Sequence, residues 1–138
     1  MQHPKQNIFA ILCSVSYTLH VNADFGKRIR ERREALCQHD SLYTLRQVAA
    51  TVGVTPSFLS KVERGALPPP SEDTIKELAR VLGENADVLL AMAGKVSSDL
   101  KAAIVKRPKL IADLIRLVQD TPDEGVLRIV REVRDGKW

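Results

Sequence analysis

The sequence predicts an all-α protein, a five-helix domain followed by a C-terminal helical extension. Three observations lead there. From Asp24 onward, apolar residues recur at i, i+3, i+4, i+7, the spacing that lines one face of a helix. Most such patterns are preceded by Ser, Thr, Asp or Asn and closed by Gly, the residues that start and stop helices. Aromatic residues make up only 4% of the chain, so the core is built from Leu, Val, Ile and Ala, which suits packed helices.

The elements follow in order. "DFGKRIRERREAL" offers Asp24 as an N-cap, with Phe25, Ile29 and Leu36 on the apolar side and Lys and Arg elsewhere. "CQHDSLY" reads as a loop. Thr44 caps a second helix, in which Leu45, Val48, Ala49 and Val52 form the stripe and Gly53 ends it. A third opens with Thr55 as N-cap and Pro56 at the first helical position, where a missing N–H costs nothing, and stops at Gly65. "ALPPP" is stiff and extended. Ser71 caps the fourth helix, whose first turn holds Glu72 and Asp73 and whose stripe is Ile75, Leu78, Ala79 and Leu82. Asn85 caps a short fifth helix that ends at Gly94.

Residues 95–138 form the extension. Ser98 caps a helix through Val105, and Pro108 interrupts it. Ile111, Leu114, Ile115 and Val118 then repeat the helical spacing. A last helix reads as Thr121 at the N-cap, Pro122 at N1 and Glu124 completing a capping box, with Val126, Ile129, Val130 and Val133 as its stripe. These stripes read as core, yet they exceed what a domain closed at Gly94 needs. A second copy of the chain is the economical cover for them.

Residues 1–23 stand apart. In "IFAILCSVSYTLHV", residues 8 to 21, Ser14, Ser16, Thr18 and His20 alternate with Val15, Tyr17, Leu19 and Val21, the period of a half-buried strand. Three roles fit: an ordered arm used in packing or dimerisation, an upstream extension, or a targeting signal. No apolar run reaches the ~18 residues of a membrane span.

Composition narrows the function. The formal net charge of +4 is compatible with a polyanionic partner and weak as a signal by itself. Cys13 and Cys37, and His3, His20 and His39, show no metal-ligand spacing, so neither a metal nor a disulfide framework is expected. There is no Gly-rich phosphate loop and no nucleophile–His arrangement, and the carboxylates sit in caps and on helix faces. The reading is therefore a binding protein, with no enzyme activity and no cofactor.

"TLRQVAATVGVTPSFLSKVERG", residues 44 to 65, carries the functional signal. Small Ala49 and, four residues on, Gly53 let two helices cross closely, and Leu59 and Val62 answer from the second. That is how a helix-turn-helix, here residues 45–64, is built. The second helix leaves Thr55, Ser57, Phe58, Ser60, Lys61 and Arg64 outward: hydroxyls, one aromatic and two cations. Such a face suits a duplex better than water.

Together with "FGKRIRERRE" and the Pro-rich segment leading into "TIKELARVLG", this stretch resembles the Cro/C1-type (XRE family, lambda repressor-like) helix-turn-helix regulators over about residues 25 to 94. The resemblance implies that the helix at 56–64 lies in the major groove of double-stranded DNA and that a homodimer reads two half-sites. By position it implies that Ser57 and Lys61 face base edges, with Phe58 beside them. It further implies that Thr44, Arg46 and Thr55 hold phosphates, and that Arg33 and Glu63 form a structural salt bridge. A cytoplasmic transcriptional regulator is the function implied, a repressor before an activator because occlusion needs no polymerase contact. The alternative is an antitoxin-like protein that sequesters a partner through its C-terminal helices and binds DNA to regulate itself.

Overall fold

The computed structural model describes residues 8–136, with side chains from Leu19 onward. Among the described residues every regular element is helical. The chain forms two compact units, the first ending at Ser97 and the second beginning at Ser98.

The first unit contains α1 (Ile8–Cys37), α2 (Leu45–Val52), α3 (Pro56–Glu63), α4 (Glu72–Leu82) and α5 (Ala86–Met92), with one 3-10 turn at Ser41–Tyr43. The strand reading of residues 8 to 21 is corrected: α1 begins at Ile8 and runs unbroken into the charged segment. Asp24 is accordingly no N-cap but an exposed residue inside the helix. No Gly or Pro falls between Ile8 and Phe25, and no described strand offers pairing, so the helix ladder continues where alternation alone suggested a strand. Residues 1–7, the start of the segment read as an arm, lie outside the described residues. The loop at "CQHDSLY" tightens into the 3-10 turn because the Asp40 side chain accepts from the Leu42 N–H at 2.9 Å.

The core takes the apolar face of each helix in turn. Phe25 and Ile29 come from α1, Val48 and Ala49 from α2, and Leu59 and Val62 from α3; α4 adds Ile75, Leu78, Ala79 and Leu82, and α5 adds Leu89 and Leu90. All are at most 1% exposed, so each large apolar side chain contributes about 1.5–3 kcal/mol of burial. Helix α1 packs across α3, α4 and α5, while α2 sits between α3 and α4.

One close approach sets the geometry. A Cβ on Gly26 would collide with the Val62 carbonyl oxygen and lie 2.9 Å from that of Glu63. Glycine is therefore what lets α1 rest on the end of α3.

The second unit contains α6 (Ser98–Lys106), α7 (Pro108–Gln119) and α8 (Asp123–Arg134). None of these helices has a buried residue. The stripes read as core are only partly covered: Leu114, Ile115, Val130 and Val133 are each more than 40% exposed, and Ile111, Val118, Val126 and Ile129 are half-buried. Three short helices are too few to enclose them. The capping box at Thr121 is also absent. Pro122 takes the N-cap position of α8 without a side-chain hydrogen bond, and the Thr121 hydroxyl donates back to the Leu117 carbonyl at 2.7 Å.

Candidate nucleic-acid interface

The turn between α2 and α3 follows from three residues. Gly53 closes α2 in the left-handed region at φ 83°, with both its own N–H and that of Val54 donating to the Ala49 carbonyl at 3.0 Å. Thr55 then adopts an extended backbone, and its hydroxyl accepts from the Phe58 N–H at 3.1 Å. Pro56 starts α3 without a wasted donor. Thr44 does the same for α2, accepting from the Gln47 N–H at 3.4 Å. A capping hydroxyl spends its oxygen as acceptor, which leaves both O–H groups to donate outward.

Helix α3 divides its residues by face. Leu59, Val62 and Glu63 are buried, and Ser57, Lys61 and Arg64 are exposed at i, i+4, i+7, a single stripe. Thr55 is exposed at the head of that helix, and Arg46 is exposed on α2. Two of the outward residues inferred from sequence are only partly outward. Phe58 is half-buried and packs against the core, and Ser60 is half-buried on the wall of a cleft shared with Arg30, Arg33 and Leu45. Thr44 is half-buried as well.

Behind the stripe lies the Arg33–Glu63 pair. Arg33 Nε and Nη2 donate to the two carboxylate oxygens of Glu63 at 2.7 and 2.9 Å, and both residues are under 9% exposed. The fork matches the carboxylate plane, a geometry lysine cannot supply. The hydrogen bond to Glu63 holds the Arg33 guanidinium above its ordinary value, against the opposing effect of burial. Since Glu63 belongs to α3 and Arg33 to α1, the bridge anchors α3 to the body. The Arg33 Nη1 adds a longer contact to the Tyr43 carbonyl, 3.4 Å.

The charge left for a ligand is concentrated. Lys27, Arg28, Arg30 and Arg32 of α1 all have carboxylate partners, four cations on three acids. Lys27 pairs with Glu31, Arg30 with Glu34, and Arg28 and Arg32 both with Glu84. On α4, Lys76 pairs with Glu72 and Arg80 with Glu77. Among the described residues of this unit, Arg46, Lys61, Arg64 and Lys95 have no carboxylate partner, and the Lys95 amine donates to the Pro70 carbonyl. Of the other three, Lys61 and Arg64 lie on α3 and at its C-cap, and Arg46 lies on α2. Neither α2 nor α3 has an acid in its first turn, so their positive ends stay uncompensated.

Sequence reasoning missed the bridging role of Glu84 and the close approach at Gly26. A glycine inside a charged helix was the available signal for the latter. Among the described residues, no group of His, Cys, Asp or Glu could hold a metal ion, and no helix is long and apolar enough to cross a membrane.

Comparison with known proteins converges on the same segment. The helix-turn-helix domain family matches residues 24–92, half of the chain. RghRB of Bacillus subtilis, an uncharacterized HTH-type transcriptional regulator, is 35% identical over 74 residues, which are 54% of this chain and 50% of that protein. Rv0474 of Mycobacterium tuberculosis, described in the same words, is 39% identical over 69 residues, 50% of this chain and 45% of its own. The chain thus spans about half the length of the curated relatives it matches. No solved structure matches. With its α2–turn–α3 unit, its all-helical body and a family match over half its length, the chain belongs to the helix-turn-helix domain family.

Proposed function

We propose that the protein is a sequence-specific DNA-binding transcription regulator of the Cro/C1 type, acting as a homodimer with α3 in the major groove. The observation that carries this reading is the placement of cations without a carboxylate partner: Arg46, Lys61 and Arg64 lie on the α2–α3 pair, while the cations of α1 and α4 have internal ion pairs. Ser57 and Lys61 read base edges from the exposed stripe. The half-buried Phe58 supports them and offers its rim to a thymine methyl. Thr44, Arg46, Thr55 and Arg64 take phosphates, Thr44 and Thr55 through the O–H that capping leaves free. Ser60, on the cleft wall, reaches DNA only at the edge of the interface.

Dimerisation falls to α7 and α8, whose open apolar faces are larger than a solvated helix needs. The bound dimer represses by occlusion, in the cytoplasm. The same faces also fit an antitoxin-like role, in which a partner protein covers them and DNA binding regulates the protein's own synthesis.

The test is binding of the full chain to duplex DNA from upstream of its own gene against a scrambled duplex, with mass in solution measured alongside. Tight, sequence-dependent binding by a dimer supports the regulator. Equal, weak binding to both duplexes, collapsing as salt rises, refutes it. A monomer that binds the upstream duplex moves the apolar faces to a partner protein.

A further inference from the structure

A second concentration of unpaired charge lies outside the helix-turn-helix. From Leu100 to Ala112 the chain carries Lys101, Lys106, Arg107 and Lys109 and no acid. All four are exposed, and among the described residues none has a carboxylate partner. Three of them cluster where α6 ends and α7 begins.

The position of Lys109 argues against a purely structural role. Lys106 sits in the last turn of α6, where the helix dipole favours a cation. Arg107, whose N–H donates to the Ile104 carbonyl, shares that end, whereas Lys109 sits in the first turn of α7, where the dipole disfavours a cation. Helices α4, α5, α6 and α8 all open with one or two carboxylates. Helix α7 opens instead with cations and no side-chain cap, so nothing within it offsets the local positive charge. An external anion would.

We infer that Lys106, Arg107 and Lys109, with Lys101 beside them, form a second, sequence-independent contact to the DNA phosphate backbone. The inference rests on the DNA-binding reading above. DNA is the favoured polyanion because the segment is tethered to the helix-turn-helix unit: Ser98 follows Gly94 by four residues. A duplex held by α3 is therefore present at high effective concentration for this segment. No aromatic side chain interrupts the cations, so stacking on single-stranded bases is not on offer, whereas phosphate pairing is.

The experiment measures affinity of the full chain for a random-sequence duplex as a function of salt. The wild type is compared with Lys106→Gln/Arg107→Gln/Lys109→Gln and, separately, with Arg46→Gln/Lys61→Gln. Glutamine keeps helix propensity close to that of the residues replaced, and circular dichroism checks that both variants fold. If three phosphate contacts are lost, the slope of log affinity against log salt falls by about 2–3. Between about 50 and 200 mM salt, the wild type then loses roughly 40-fold more affinity than the variant does. An unchanged slope in the first variant, with a reduced one in the second, overturns this inference and leaves the α3 interface standing. Absence of salt-dependent binding by the wild type overturns both. Retention of the wild type on phosphatidylserine vesicles, lost in the first variant while its duplex slope is unchanged, assigns the cations to a lipid surface and also overturns it.

Discussion

Replacing Glu63 by alanine should destabilise the first unit well before it touches DNA recognition. The substitution removes both acceptors of the Arg33 fork and leaves a guanidinium that cannot shed its charge. Breaking one side of a buried ion pair costs about 3–5 kcal/mol. Arg33 retains a 3.4 Å contact to the Tyr43 carbonyl and lies 3.8 Å from the exposed Glu34 carboxylate, beside a cleft that admits water. That partial relief lowers the expected loss to about 2–3 kcal/mol. For a unit of this size it corresponds to a fall in Tm of roughly 10–20 °C, read by thermal and urea melts followed by circular dichroism. The paired substitution Arg33→Met/Glu63→Leu removes both charges and fills the space with apolar atoms. Its stability should return to within about 1 kcal/mol of the wild type. A single variant that melts with the wild type, or a double variant as unstable as the sum of its singles, would refute the account of this bridge.

Three further outcomes are expected. Gly26→Ala should cost about 2–3 kcal/mol, the penalty of overpacking against atoms that cannot rotate away, because the new methyl meets the Val62 and Glu63 backbone; denaturant melts check it. Lys61→Ala should relax discrimination at one base position of each half-site by ~1–3 kcal/mol in a panel of single-base operator variants, whereas a uniform loss across the panel would make Lys61 a phosphate contact. The hydrogen bond from Arg30 holds the Glu34 carboxyl below its ordinary value, so the small stabilisation from that pair is present above the unfolded value and fades as pH falls through the lowered one. In an NMR titration, Arg30→Gln should return Glu34 toward the ordinary carboxylate range, and a midpoint that does not move would break the assignment.

Much of the first unit was legible because its helix signals are local. Thr44, Thr55, Ser71 and Asn85 each hydrogen-bond the N–H three residues on, and Gly53 and Gly83 close helices in the left-handed region, so cap chemistry read from sequence met little competition. The exposed stripe of Ser57, Lys61 and Arg64 follows from period alone once α3 is placed. What failed was decided elsewhere. Asp24 has the chemistry of a cap, but it caps nothing when the helix arrives from upstream. Thr121 likewise caps nothing, because α8 takes Pro122 at its N-cap, and its hydroxyl donates to the Leu117 carbonyl. The pairing of Glu84 with Arg28 and Arg32 was invisible because Glu84 lies 56 residues from Arg28, and no local pattern links them. The stripes of α7 and α8 looked like core because amphipathicity reports that a face is to be covered, not what covers it.

The uninterrupted course of α1 has a mechanical meaning. Thirty residues at a rise of ~1.5 Å make a rod about 45 Å long, and Phe25 and Ile29 fix its far end within the core. The turns from Ile8 onward therefore share a rotational phase with the helix that α3 rests on. Deleting one residue between Ile8 and Leu19 would leave Phe25 seated but swing everything upstream by about 100° around the axis. Inserting a whole number of turns would nearly restore the original direction at a greater distance. Whatever contacts the upstream turns make are thus indexed, residue by residue, to the orientation of α3.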